Sequence, residues 1–141
     1  MTAAAQMRLD TSVPALLVRT GEPRWDYGAL ASCRTLGRAG VRAFVLAHRS
    51  EREILASRYV TARVGPPLAA DAGAEESGAA LNRVARAIGS PCVVIAGDDE
   101  SAVLLAEQAD TLDPRLLSFP IPANLPRRLS DKIALGALAA D

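Results

Sequence analysis

Five short apolar runs recur along this 141-residue chain, and a stretch with helical spacing follows each. The runs lie in 13–20, 41–48, 59–67, 91–97 and 115–122. Helical stretches fall between them, and a last one opens at 130. Consecutive apolar residues without alternation mark strands buried on both faces. Strands of that kind joined by amphipathic helices build parallel β-α-β units. The order therefore predicts an α/β, Rossmann-like, doubly wound and mostly parallel five-stranded sheet flanked by helices. The pattern shows no internal repeat.

Local signals set the expected boundaries. Leu30, Cys33, Leu36 and Gly37 share one helical face, and Gly40 stops that helix. Ser50 is the expected N-cap of a short helix over 50–58. The Ala/Gly-rich stretch 68–80 reads as loop passing into helix; Leu81, Val84, Ala85 and Ile88 then form one face, with Gly89 as the stop. "PCVVIAG" (91–97) is the clearest strand, and "DDESAVLLAEQAD" (98–110) is a helix with acids where its dipole favours them. Pro120 and Pro122 weaken the fifth strand, "ANLPRRLS" reads as a connector with a solvated basic pair, and Ser130 reads as an N-cap.

The remaining composition mostly excludes. Sixteen basic and sixteen acidic residues cancel, so nothing draws the chain to nucleic acid or an anionic membrane. No run reaches membrane-spanning length and the first residues lack a signal-peptide core, so residues 1–11 read as a loose tail. Cys33 and Cys92 are too few and too far apart for a metal site and read as small buried hydrophobes, which points to a reducing, cytoplasmic setting.

In an open parallel sheet, ligands bind outside the carboxyl ends of the strands. The segments of interest are therefore 19–27, 47–50, 65–67 and 97–101. The first loop, "RTGEPRWDYG", carries Gly21 and Gly28 but no G-x-G-x-x-G, and "LAHRS" stands where a ribose-binding acid would follow the second strand. Dinucleotide binding is thus unsupported. There is no phosphate-binding G-x-x-x-x-G-K-[ST] loop either. Gly21 is either a plain turn glycine or a point of close ligand approach. "GDDES" (97–101) is either a helix cap with solvated acids or a carboxylate facing a polar or cationic substrate. His48, the only histidine, has no nucleophile at a telling spacing and reads as a surface residue. Trp25 either plugs the core's end or packs on a neighbouring domain. Lys132, the only lysine, stands at a helix start, where a cation opposes the dipole unless an anion joins it.

Four stretches resemble one family. "LSDKIALGALAAD" is similar to the junction at which ATP-grasp enzymes pass from an N-terminal Rossmann-like (pre-ATP-grasp) domain into their nucleotide-binding lobes. There, a D-K pair opens a helix of the form DK-x-x-L-x-x-L-A. "CRTLGRAGVRAFVL", "ILASRYVTARVGPP" and "VVIAGDDESAVLLAEQAD" resemble successive pieces of the carboxylate–amine ligase branch, akin to the large chain of carbamoyl-phosphate synthase. The resemblance covers about residues 13–141; it departs from the family in the first loop, where relatives often show a glycine pair.

The resemblance implies a substrate-side domain of a ligase that uses ATP and Mg²⁺. Such a ligase converts a carboxylate to an acyl phosphate, which an amine or related nucleophile then attacks. It implies that Lys132 touches ATP phosphates, and that Thr20, Gly21, Asp98, Asp99 and Glu100 border the substrate. It implies no catalytic or metal-ligating residue within these 141, because the adenine, glycine-loop and metal equipment lies in further C-terminal lobes. The expected organisation is a tail (1–11), the pre-ATP-grasp domain (12–126) and the start of a linker helix (127–141). On this reading the fragment alone is inactive, binds ATP weakly or not at all, and exposes apolar residues such as Leu135, Leu138 and Ala139. Homodimerisation stays open. The alternative is a stand-alone module of the same fold that holds a small ligand or a protein partner without catalysis.

Overall fold

A computed structural model describes residues 10–21, 27–48, 52–65, 69, 72–132 and 135–136. Among the described residues, five strands alternate with five helices. They are β1 (Ala15–Val18), α1 (Tyr27–Arg38), β2 (Ala43–Leu46), α2 (Arg52–Leu55), β3 (Ala62–Arg63), α3 (Ala74–Ile88), β4 (Cys92–Ala96), α4 (Asp99–Glu107), β5 (Leu116–Leu117) and α5 (Leu125–Ser130). A 3-10 turn, Ala109–Thr111, follows α4.

The strands form one sheet in the order β3-β2-β1-β4-β5, and every pairing is parallel. β1 is central: Ala15 aligns with Ala43 of β2 on one side and with Val93 of β4 on the other. The chain winds outward from β1 to β3, then crosses back through α3 to continue beyond β1's other edge. That reversal creates a topological switch point between β1 and β4. The architecture is the Rossmann-like doubly wound fold that the alternating pattern predicts.

Side-chain alternation along each strand divides the core in two. Leu16, Val18, Phe44, Leu46 and Val94 pack under α3 and α4, against Leu81, Val84, Leu104 and Leu105. Leu17, Val45 and Ala47 face the other way, onto Leu30 and Cys33 of α1 and Ile54 of α2. Each buried Leu or Val stabilises the fold by about 1.5–3 kcal/mol relative to exposure. Both cysteines sit inside these layers as free thiols, and burial pushes their pKa up. They behave as small apolar fillers.

Helix ends follow the sequence signals. Gly40 and Gly89 both adopt positive φ, 83° and 73°. The Gly89 N–H donates to the Ala85 carbonyl, closing α3 in the left-handed conformation that glycine tolerates. Ser50 and Trp25 lie outside the described residues.

Three expectations need correction. The third and fifth strands are two residues each, far shorter than the apolar runs suggested. Both are sheet edges with one hydrogen-bonded neighbour, and apolar composition does not itself hold an edge strand straight. Gly65, at φ 82°, turns the chain away just beyond β3. Past β5, Pro120 and Pro122 offer no N–H to a ladder. The connector "ANLPRRLS" is also helical, with Pro126 in the first turn of α5. Proline suits that turn because its fixed φ matches the helix and its missing N–H would have no partner. Ser130, finally, is the last residue of α5 rather than an N-cap. Its hydroxyl donates to the Pro126 carbonyl at 2.9 Å. The expected boundary between 126 and 127 thus falls inside α5, which packs on α4.

Among the described residues no helix is long and apolar enough to cross a membrane.

Candidate functional site

The switch point brings the end of β1 against the end of β4. Arg19 follows β1 directly and is 2% exposed. Its Nε lies 3.5 Å from Oδ2 of Asp98, at the mouth of β4. The same Oδ2 accepts the Gly21 N–H at 3.1 Å, while Oδ1 accepts the Ser101 N–H at 2.8 Å. Asp98 is therefore the N-cap of α4, in a capping box completed by the Ser101 hydroxyl. One carboxylate ties the β1 loop, the β4 loop and the first turn of α4 together.

Two glycines make this fit. A methyl group on Gly97 would stand 2.7 Å from Cγ of Arg19 and 3.0 Å from the Val18 carbonyl oxygen. Only a glycine lets the arginine stem lie across the strand end. A methyl group on Gly21 would stand 2.5 Å from Oε2 of Glu100. Glu100 therefore rests directly over the Gly21 backbone. Gly21 is a point of close approach, with a side chain of this same chain as the approaching group.

Beside this junction opens a cleft of about 460 Å³. Thr20 and the α4 residues Asp99, Glu100, Val103 and Glu107 line one side. The start of α3, including Ser77, lines another, and Arg127 and Ser130 of α5 close the rim. The volume suits a small molecule. Arg127 is held back by Glu107: Nε to Oε1 is 2.7 Å and Nη2 to Oε2 is 2.9 Å. That two-pronged contact keeps the Glu107 carboxyl below the usual carboxylate range. Asp99 and Glu100 are exposed and accept no hydrogen bond from the described residues, so this side of the cleft carries two carboxylates without a partner among them.

Thr20, Asp99 and Glu100 thus share one cleft, with Gly21 and Asp98 immediately behind it. Lys132 does not line it. Asp131 leaves α5 with extended backbone, and its carbonyl accepts the Leu135 N–H at 2.8 Å, which begins a second helical segment. Lys132 is the first residue of that segment, where a Ser130 cap would have made it the second. It is exposed, and its ammonium pairs with none of the described residues. Leu135 is exposed as well; Leu138 and Ala139 lie outside the described residues.

The cleft does not suit a triphosphate, because the Asp99 and Glu100 carboxylates along it would repel one. Among the described residues no cluster of three or more His, Cys, Asp or Glu is placed to hold a metal ion. Lys132 could offer one charge to a phosphate brought to it from outside the cleft.

His48 is not a surface residue. It is 5% exposed, and its Nε2 lies 3.1 Å from the Thr20 carbonyl oxygen. A carbonyl only accepts, so that contact requires the proton on Nε2. The histidine thus braces the β1 loop from beneath β2. The basic pair of the connector divides: Arg127 is bound to Glu107, and Arg128 is exposed.

Sequence reasoning missed Ser77, Glu107, Arg127 and Ser130 as cleft residues. A signal for Ser77 was present: it stands four residues before Leu81 and seven before Val84, on their buried helical face. The contribution of α5 was not readable, because it depends on how α5 folds back onto α4. Comparison with protein-family models, with curated proteins and with solved structures finds no match to this chain.

Proposed function

We propose that this chain is the substrate-side domain of an ATP-dependent ligase of the ATP-grasp type, which activates a carboxylate as an acyl phosphate for attack by an amine or related nucleophile. The cleft between Thr20 and Glu100 is its substrate pocket. One observation carries the reading: the short path from that pocket to the Asp131–Lys132 pair. Ser130 lines the rim, and the next helical segment begins at Asp131 with Lys132 exposed in its first turn. An unpaired ammonium there is suited to a phosphate. ATP and Mg²⁺ would be held mainly by further lobes. The role of these residues is to bind and orient the substrate, with Asp98 fixing the loops that form the pocket.

The reading is tested by the coding sequence downstream of codon 141. A glycine-rich loop followed by an acidic metal-binding segment is the expected result. A stop codon there would overturn the ligase and leave the binding module, which the same cleft also serves. Calorimetric titration of the 141-residue chain with Mg-ATP adds a second check. Micromolar affinity would contradict a site divided between this domain and other lobes.

A further inference from the structure

We infer that the cleft selects a ligand through a primary ammonium group, seated among Ser77, Asp99 and Glu100. The inference rests on reading this cleft as the substrate pocket, and it decides which end of a substrate enters first.

Ser77 is the independent observation. It is 4% exposed and lines the cleft. A serine buried in a helix ordinarily returns its hydroxyl to the carbonyl four residues back. Here the Gly73 carbonyl accepts the Ser77 backbone N–H at 2.9 Å, and the hydroxyl bonds to none of the described residues. Nor is the hydroxyl sealed in protein. Among the described residues the only fully enclosed side-chain polar atom without a partner is Oγ of Ser90. The Ser77 oxygen therefore opens on the cleft with its hydrogen-bonding capacity unused. Water can serve that oxygen in the free cleft, and a ligand that donates to it takes the water's place.

The chemistry of that ligand follows from the other walls. The Asp99 and Glu100 carboxylates are exposed and accept no hydrogen bond from the described residues, whereas Glu107 is neutralised by Arg127. Three acceptor-bearing residues line this one cleft, two of them charged, which matches an –NH₃⁺ group, with three donors and no acceptor. A bare metal ion fits less well, since the described acids form no cluster that could chelate one. A carboxylate or phosphate is repelled. Val103 and Leu104 supply an apolar strip along which a short aliphatic body can lie.

The experiment is a titration of the ¹⁵N-labelled chain followed by amide chemical shifts, with n-butylammonium, n-butanol and Mg²⁺ as separate ligands. Butylammonium is expected to give saturable shifts centred on Ser77, Asp99 and Glu100, with a Kd of roughly 1–10 mM for so small a probe. Glu100→Gln should weaken it about tenfold and Ser77→Ala by about threefold, with other resonances unmoved; Glu53→Gln, on the opposite face of the sheet, should leave it unchanged. Equal binding of butanol would overturn the inference, as would shifts that never saturate or that survive in the Asp99→Asn, Glu100→Gln double variant. Displacement of butylammonium by Mg²⁺ at the same amides would also overturn it, in favour of a metal site. No nucleotide enters this experiment. Its failure would remove the ammonium and leave the ligase reading to the downstream sequence.

Discussion

Nε of Arg19 lies 3.5 Å from Oδ2 of Asp98, and this contact joins residues 79 positions apart at the centre of the sheet's ligand-facing edge. Arg19 is buried and Asp98 is largely so. Removing Asp98 takes from the buried guanidinium one of its acceptors. Asp98→Ala also deletes the α4 cap, so it should destabilise the domain by about 2–4 kcal/mol in urea unfolding. Asp98→Asn keeps a capping oxygen and should cost less. Equal losses in the two variants would show that the charge, and not the cap, carries the whole effect.

The two glycines at this junction should respond differently to the same substitution. Gly97→Ala pushes against the Arg19 stem and the Val18 carbonyl, which is fixed backbone. It should destabilise by about 1–3 kcal/mol. Gly21→Ala pushes mainly against the tip of Glu100, which can swing aside. Its melting temperature should stay close to the parent's, while butylammonium binding falls because one seat carboxylate is displaced. A large stability loss in Gly21→Ala would mean that Glu100 is locked in place.

Asp113 provides a pH test away from the cleft. Its carboxylate is held by the Arg115 side chain (Nη2 to Oδ2 2.7 Å, Nε to Oδ1 2.8 Å) and by the Arg115 N–H, and its pKa is pushed down to about 2. A carboxylate with a lowered folded-state pKa adds stability that is complete above its unfolded value, near 4. That contribution fades as pH falls from there towards 2. Carboxyl NMR titration should show Asp113 ionised at pH 3, and Arg115→Ala should raise its midpoint but leave it below the ordinary aspartate range, because the residue-115 N–H still donates to the carboxylate.

Cys33 and Cys92 should resist thiol reagents in the native protein, since both are buried and both have a raised pKa. Reaction with an aromatic disulfide should be slow until denaturant is added. Rapid labelling of either would mean that α1 or β4 opens locally.

The sequence announced the sheet more readily than its edges. β1 and β2 are buried on both faces, and their uninterrupted apolar runs reflect that environment directly; β4 buries Cys92 and Val94 but leaves Val93 and Ala96 exposed, so its apolar run overstates its burial. β3 and β5 are edges whose length depends on a single neighbour and on Gly65, Pro120 and Pro122. In the cleft, Thr20, Asp99 and Glu100 were readable because strand-end position alone brings them together. Asp98 divided cleanly from its neighbours only once its three contacts were visible. Ser77 carried the helical spacing to Leu81 and Val84 but sat inside an Ala/Gly-rich stretch that does not mark where the helix starts, and Arg127 reached the rim only through the helical turn that holds Pro126.

The position of β1 between β2 and β4 also orders events during folding. β2 can zip onto β1 after a connection of about two dozen residues, whereas β4 must wait for a chain several times longer. The late partner supplies the Val93 N–H to the Pro14 carbonyl and the Gly97 N–H to the Val18 carbonyl. Non-local pairing of this kind is slow because loop closure precedes any reward. In pulse-labelled hydrogen exchange, the amides of Val93 and Gly97 should gain protection after those of β2, and the ligand-facing edge would be the last part of the molecule to assemble.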